Sequence, residues 1–167
     1  MLETCLPRDP FGRILAVASG GPLTTPWRKR LSIIGYTTGV FDLFHIGHLN
    51  VLRRSRAACD RLIVGVTTDE LVEARKGRRP VIPFEERVEI VRSVRYVDEV
   101  VSQSTMDKLQ AWQDLHFHRM FVGDDWRGTP EWTALEATFR ERDVEIVYFP
   151  YTVHTSSTIL RQALARI

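Results

Sequence analysis

The sequence predicts a doubly wound α/β domain built on a five-stranded parallel sheet. Short apolar runs alternate along the chain with stretches of helical periodicity. The segments richest in chemistry-bearing residues each follow such a run, and a parallel sheet gathers the carboxyl ends of its strands at one crevice. At 167 residues the chain suits one domain with a sizeable core.

Composition narrows the field. The net charge of +2 is too small to argue by itself for a nucleic-acid partner. Of the 23 basic residues 20 are arginine, so each of the three lysines stands out. Cys5 and Cys59 show no metal or redox spacing, which implies a reducing, cytoplasmic setting. No apolar run approaches the roughly 18 residues a membrane span needs. The segment Ile14–Gly20 superficially resembles a signal peptide but is short and follows both Arg8 and Asp9. Residues 1–30, with four prolines and the basic cluster Arg28-Lys29-Arg30, read as an extension preceding a domain at 31–167.

The first strand is expected at Leu31–Tyr36 and the first helix from Leu49 to Arg54, so Thr37 to His48 form a strand-to-helix turn. Gly39 and Gly47 let the backbone pass close to a ligand, and the N–H groups of the new helix favour an anion above the turn. His45 and His48 place imidazole donors beside that anion, unless they are packing or capping residues. The pattern is a phosphate site without the lysine of a Walker loop.

Arg61–Thr67 is a second buried strand, followed by the helix-like Glu70–Ala74 and the cationic Arg75-Lys76-Gly77-Arg78-Arg79. Four cations in five residues repel one another unless solvated in a surface loop or facing an anion; their place beyond a strand end favours the anion. Pro83 opens a helix with Phe84, Val88, Val91 and Val94 as its buried stripe. The block Arg95–Val101 follows, where Arg95 could pair with Asp98 or Glu99. Met106–Leu115 is an amphipathic helix with Leu109 and Trp112 inward; His116 and His118, lacking a third ligand, read as surface residues. Arg119–Val122 is a strand ending in Gly123-Asp124-Asp125-Trp126, Trp132–Arg142 a helix, and Glu145–Phe149 the last strand. Thr155, Ser156, Ser157 and Thr158 open a helix over Ile159–Ala165, and four hydroxyls exceed what one cap needs.

The block Gly39–His48 resembles the His-x-Gly-His signature of the nucleotidyltransferase superfamily, in the longer form of its cytidylyltransferase branch. It is most similar to the glycerol-3-phosphate cytidylyltransferases, a resemblance running from about Ile33 to about Leu164. It implies a Rossmann-like fold with strand order 3-2-1-4-5. It further implies transfer of CMP from CTP to a small phosphate-bearing acceptor, best matched by glycerol 3-phosphate, with release of pyrophosphate. Mg²⁺ would be held by the triphosphate without protein side-chain ligands, and the assembly would be a homodimer.

Residue by residue, the resemblance makes His45, His48, Lys76 and Arg78 catalytic, with Arg78 standing where relatives have a second lysine. Thr38, Gly39, Val40, Phe41, Gly47, Arg95, Asp124, Thr155, Ser156, Ser157 and Thr158 would bind the nucleotide. Asp42, Asp69, Arg87 and Tyr151 would contact the acceptor, with orientation of the signature loop as the other reading of Asp42. Asp124 could accept from a ribose hydroxyl or a cytosine amino group, or simply cap a turn. Tyr151 replaces an arginine of the family's last motif, which removes a permanent cation and opens acceptor identity to a phosphonate or another alcohol phosphate. Adenylyl transfer, a catalytically silent nucleotide-binding regulator, and a tRNA synthetase-like role are the competing readings; the last lacks an anticodon domain and a basic surface.

Overall fold

The computed structural model of the chain describes residues 32–150 and 155–166. The extension at 1–30 and Tyr151 lie outside the described residues. In chain order the elements are β1 (Ile34–Gly39), α1 (Ile46–Ala57), β2 (Arg61–Thr67), α2 (Asp69–Lys76), α3 (Phe84–Arg92), β3 (Glu99–Gln103), α4 (Lys108–Leu115), β4 (Arg119–Gly123), α5 (Pro130–Arg140), β5 (Glu145–Phe149) and α6 (Ser157–Leu164). The strands form one sheet in the order β3-β2-β1-β4-β5, and every pair is parallel. This is the expected doubly wound, Rossmann-like topology.

Alternation along the strands sends side chains to two cores. On one face Tyr36, Ile63, Met120 and Val122 pack with Phe117, Trp132 and Phe139, joined by Leu109, Trp112 and Leu135 from α4 and α5. On the other, Leu62, Val64, Val66 and Phe121 pack with Leu52 of α1 and Val91 of α3, flanked by Phe84, Val88 and Val94. Of the stripe predicted for α3, Val91 is buried and Phe84, Val88 and Val94 are partly so, while Arg87, off that stripe, is buried as well.

Two boundaries differ from the sequence reading in a way that shapes the site. Strand β1 runs on through Thr37 and Thr38 to Gly39, because these residues continue the ladder opposite Val64, Gly65 and Val66. The Thr37 hydroxyl, buried in the sheet, is satisfied by donating to the Phe121 carbonyl at 3.0 Å. Helix α1 starts at Ile46, three residues before Leu49, because His45 caps it. The turn is thereby compressed into the six residues between Gly39 and Ile46.

Candidate active site

That compression shows in the backbone. Phe41 (φ 54°) and Leu43 (φ 48°) both lie in the left-handed region, at a cost on the order of 1 kcal/mol each. Gly39 and Gly47, expected to allow close approach, do so, though to the protein's own rings. A Cβ on Gly39 would stand 3.1 Å from the Phe41 ring, and one on Gly47 only 2.7 Å from Cε1 of His45. Bare of a side chain, Gly47 lets the His45 imidazole fold back over it.

His45 is the N-cap of α1, and its Nδ1 accepts from the Gly47 N–H at 3.0 Å. His48 Nδ1 accepts from the His45 N–H at 3.4 Å, completing a reciprocal cap. Capping and function are thus not alternatives for this pair. With Nδ1 of each ring accepting, the proton of the neutral imidazole resides on Nε2, which is left to donate. The ring centroids lie 4.0 Å apart. Burial pushes the His48 pKa down to about 4, and the nearby His45 pushes the same way, against a smaller upward pull from Asp42. Burial also lowers His45. The site therefore holds two neutral N–H donors aligned with a helix N-terminus, a set suited to phosphate oxygens.

Asp42 is 1 % exposed. Its carboxylate accepts from the N–H groups of Val81 and Ile82 at 3.0–3.1 Å and from Arg161 at 2.5 Å. Its carbonyl accepts from the Ser157 hydroxyl at 2.7 Å. Burial alone would raise its pKa, but the two N–H donors and the guanidinium outweigh that and hold it below the usual value. Of the two readings of Asp42, the acceptor-binding one is corrected: its oxygens are filled by the protein, and it holds the signature turn to residues 81–82 and to α6.

Helix α2 runs to Lys76 and ends at Gly77, whose left-handed φ of 65° closes it. Lys76 therefore stands on a helix end rather than in a loop. Arg79 is engaged by Glu73 at 2.8 Å and Glu70 at 3.7 Å, whereas Arg75, Lys76 and Arg78 make no ion pair among the described residues. Desolvation lowers the Lys76 pKa, reinforced by Arg161, Arg78 and Arg75. A cluster of mutually repelling cations marks a place for an anion.

The hydroxyls before α6 divide their work. Ser156 caps the helix by accepting from the Ile159 N–H at 3.3 Å. Ser157 is spent on Asp42, and Thr155 and Thr158 have no protein partner among the described residues. A cavity of about 290 Å³ is lined by His45, Gly47, His48, Thr155, Ser156 and Thr158 together with Gly123 and Phe149. A second, about 230 Å³, shares His48, Ser157 and Thr158 with it and adds Lys76, Arg78 and Arg161. A third, about 350 Å³, shares Val40 and Lys76 with the second and Gly123 with the first, and includes Thr38 and Gly39. The three are lobes of one crevice along the carboxyl edge of the sheet.

Three further expectations are revised. Arg87 is completely buried. It donates to the carbonyls of Ile82 (2.9 Å), Val40 (2.5 Å) and Thr67 (2.9 Å) and pairs with Asp69 at 2.5 Å. Asp69 also accepts from the Phe84 N–H at 3.3 Å. Neither residue lines the three lobes; together they brace the floor of the crevice where the sequence reading had them touch the acceptor. Arg95 precedes β3, so parallel packing leaves it at the amino edge of the sheet, exposed and stacked on Tyr96 with its guanidinium 4.9 Å from the ring centroid. It lines none of the three lobes. Asp124 does stand at the carboxyl end of β4, on a 3₁₀ turn beside the crevice, exposed and without an ion pair among the described residues.

Arg161 is the residue the sequence reading missed. Its spacing of four from Ser157 puts both on one face of α6, a signal that was available once the helix start was taken as part of the site.

A sequence model described as cytidylyltransferase-like matches residues 36–163. The chain belongs to the cytidylyltransferase-like family. It is 34% identical over 132 residues to glycerol-3-phosphate cytidylyltransferase of Bacillus subtilis, covering 77% of this chain and 95% of that one. It is 42% identical over 127 residues to an FAD synthase of Thermococcus sibiricus, covering 74% and 83%. Over 93 residues it is 45% identical to ethanolamine-phosphate cytidylyltransferase of Arabidopsis thaliana, covering 54% of this chain but only 22% of that longer protein. In fold it matches the lipopolysaccharide core biosynthesis protein of Thermoplasma volcanium, with a TM-score of 0.62 at 20% identity over 74% of this chain and 99% of that one. Among the described residues no helix is long and apolar enough to cross a membrane. This family member is thus a nucleotidyltransferase domain.

Proposed function

We propose that the protein transfers CMP from CTP to a small phosphate-bearing acceptor, best matched by glycerol 3-phosphate. The observation that carries the reading is the pair of neutral Nε2–H donors on α1, in a lobe continuous with Lys76, Arg78 and Arg161 on one side and with the Thr155 and Thr158 hydroxyls on the other. An oxygen of the acceptor phosphate attacks the α-phosphorus, a new P–O bond forms, and the bond to the β-phosphate oxygen breaks to release pyrophosphate. With a second pKa of about 6, the acceptor is already mostly a dianion at neutral pH. No strong base is needed, which agrees with histidines held neutral. The protein's contribution is placement and charge stabilisation. His45 and His48 donate to phosphate oxygens, Lys76 and Arg78 neutralise the departing side, and Thr155 and Thr158 hold the β- and γ-phosphates. Asp42 is filled by protein donors and Asp124 stands at the rim, a donor set that fits a Mg²⁺ held by phosphate oxygens. Bound so, it would neutralise triphosphate charge.

The test is pyrophosphate release from CTP with glycerol 3-phosphate, in the intact chain and in His48→Ala. Turnover should fall by a factor of about a hundred to a thousand in the variant; unchanged turnover overturns the assignment. The match to an FAD synthase, whose product is an adenine dinucleotide, favours adenylyl transfer as a second reading. Replacing CTP by ATP decides between them. As a working expectation, the active species is a homodimer.

A further inference from the structure

The largest lobe holds a group that the proposed chemistry leaves unused. Lys108 opens α4 and is 9% exposed. Its ammonium makes one long contact, 3.5 Å to the Thr38 hydroxyl, and no ion pair among the described residues. Asp107, its neighbour in the chain, and the Thr67 and Gln103 side chains on the same cavity are already committed. Asp107 caps α4 by accepting from the N–H groups of Leu109 and Gln110, and the Thr67 hydroxyl and Gln103 amide bond each other at 2.9 Å. Burial pushes the Lys108 pKa down to about 8, with Arg75 pushing the same way against a smaller upward pull from Glu131 and Asp107, so the ammonium is still mostly protonated at pH 7. A buried, protonated ammonium with unfilled N–H bonds is costly unless a ligand supplies oxygen.

The surroundings limit what that ligand can be. Trp126 and Trp132, with ring centroids 6.1 Å apart, give the lobe apolar walls. Arg75 and Lys76 add positive charge, and the one carboxylate on the lining, Glu131, is exposed. Because Val40 and Lys76 are shared with the phosphate-facing lobe, a molecule with its phosphate there has a continuous path toward Lys108.

We propose that Lys108 reads the end of the acceptor remote from its phosphate, and selects an oxygen-bearing tail, hydroxyl or carboxylate, over a cationic one. This rests on the phosphate-acceptor reading of the site. An oxygen tail fills the open N–H bonds of the ammonium, whereas an ammonium tail sets like charges together in a desolvated lobe, the repulsive half of a specificity device. The walls hold the carbon chain between the two ends.

The experiment compares glycerol 3-phosphate, 3-phosphoglycerate and ethanolamine phosphate by pyrophosphate release from CTP. In the intact chain kcat/KM for either oxygen tail should exceed that for the cationic one by about a hundredfold or more. Lys108→Met should shrink that ratio at least tenfold, through the acceptor KM, with the CTP KM within twofold; the ratio is indifferent to any loss of folded enzyme. Equal or better use of ethanolamine phosphate overturns the proposal, as does a variant that loses all acceptors equally. If no acceptor releases pyrophosphate, the transfer reading itself fails. Calorimetric titration of the same three compounds onto the CTP-loaded chain then decides on Lys108, the same order supporting it and any other order or no binding overturning it.

Discussion

The Asp42 carboxylate and the Arg161 guanidinium meet at 2.5 Å across 119 positions of chain, and this pair joins the signature turn to the last helix. Asp42 is buried and Arg161 largely so, with its Nε lacking a partner among the described residues. Asp42→Ala strands that cation and removes the acceptors of the Val81 and Ile82 N–H groups. Urea denaturation should show a loss of at least about 3 kcal/mol. A loss under about 1 kcal/mol would show that the tie is dispensable.

Gly47→Ala separates stability from chemistry. An alanine in a helix is ordinarily worth about 1 kcal/mol over glycine, but here its Cβ displaces the His45 ring and breaks a cap worth about the same. Thermal unfolding should therefore move little while turnover drops about a hundredfold. An active, unshifted variant would mean that the His45 ring need not lie where it does.

The pH dependence of stability carries the signature of His48. Its pKa is about 4 in the folded chain against 6.5 for an ordinary histidine. Between those values the unfolded chain binds more protons, so stability is full above pH 6.5 and falls as the pH drops through the window. From pH 7 to pH 5 the loss should be about 2 kcal/mol by chemical denaturation. The Asp42 contribution, from a lowered carboxyl, is lost only at lower pH. His48→Asn should reduce the slope between pH 7 and 5, leaving the part that comes from the lowered His45; an unaltered slope assigns it to another group.

Lys76 and Arg95 stand at opposite edges of the sheet, and their substitution should differ accordingly. Lys76→Met should lower kcat/KM for CTP about a hundredfold, while Arg95→Ala should leave it within twofold. A large effect at Arg95 would place it in contact with substrate by a route this fold does not provide.

The positions of the strands and the two histidines were legible because hydrophobic period and glycine-bearing motifs are local, whereas the sheet order came from the family resemblance. What escaped was decided by partners far along the chain. Asp42 looks like a substrate ligand until the backbone of residues 81–82 is seen to fill it, and Arg87 looks like a pocket residue until three carbonyls enclose it. Arg95 was misplaced for a simpler reason. A motif match carries a role but not the edge of the sheet, and residues just before a parallel strand fall on the far side from those just after one. The caps at His45 and Asp107 moved two helix starts, since a side chain that accepts from the first N–H groups sets where the helix begins.

The bond between Asp42 and Arg161 also sets an order of events in the cell. During translation both histidines leave the ribosome more than a hundred residues before the helix that completes their cleft. A nascent chain therefore carries the signature turn without a finished place for either substrate, and products of a premature stop before α6 should be inert rather than weakly active.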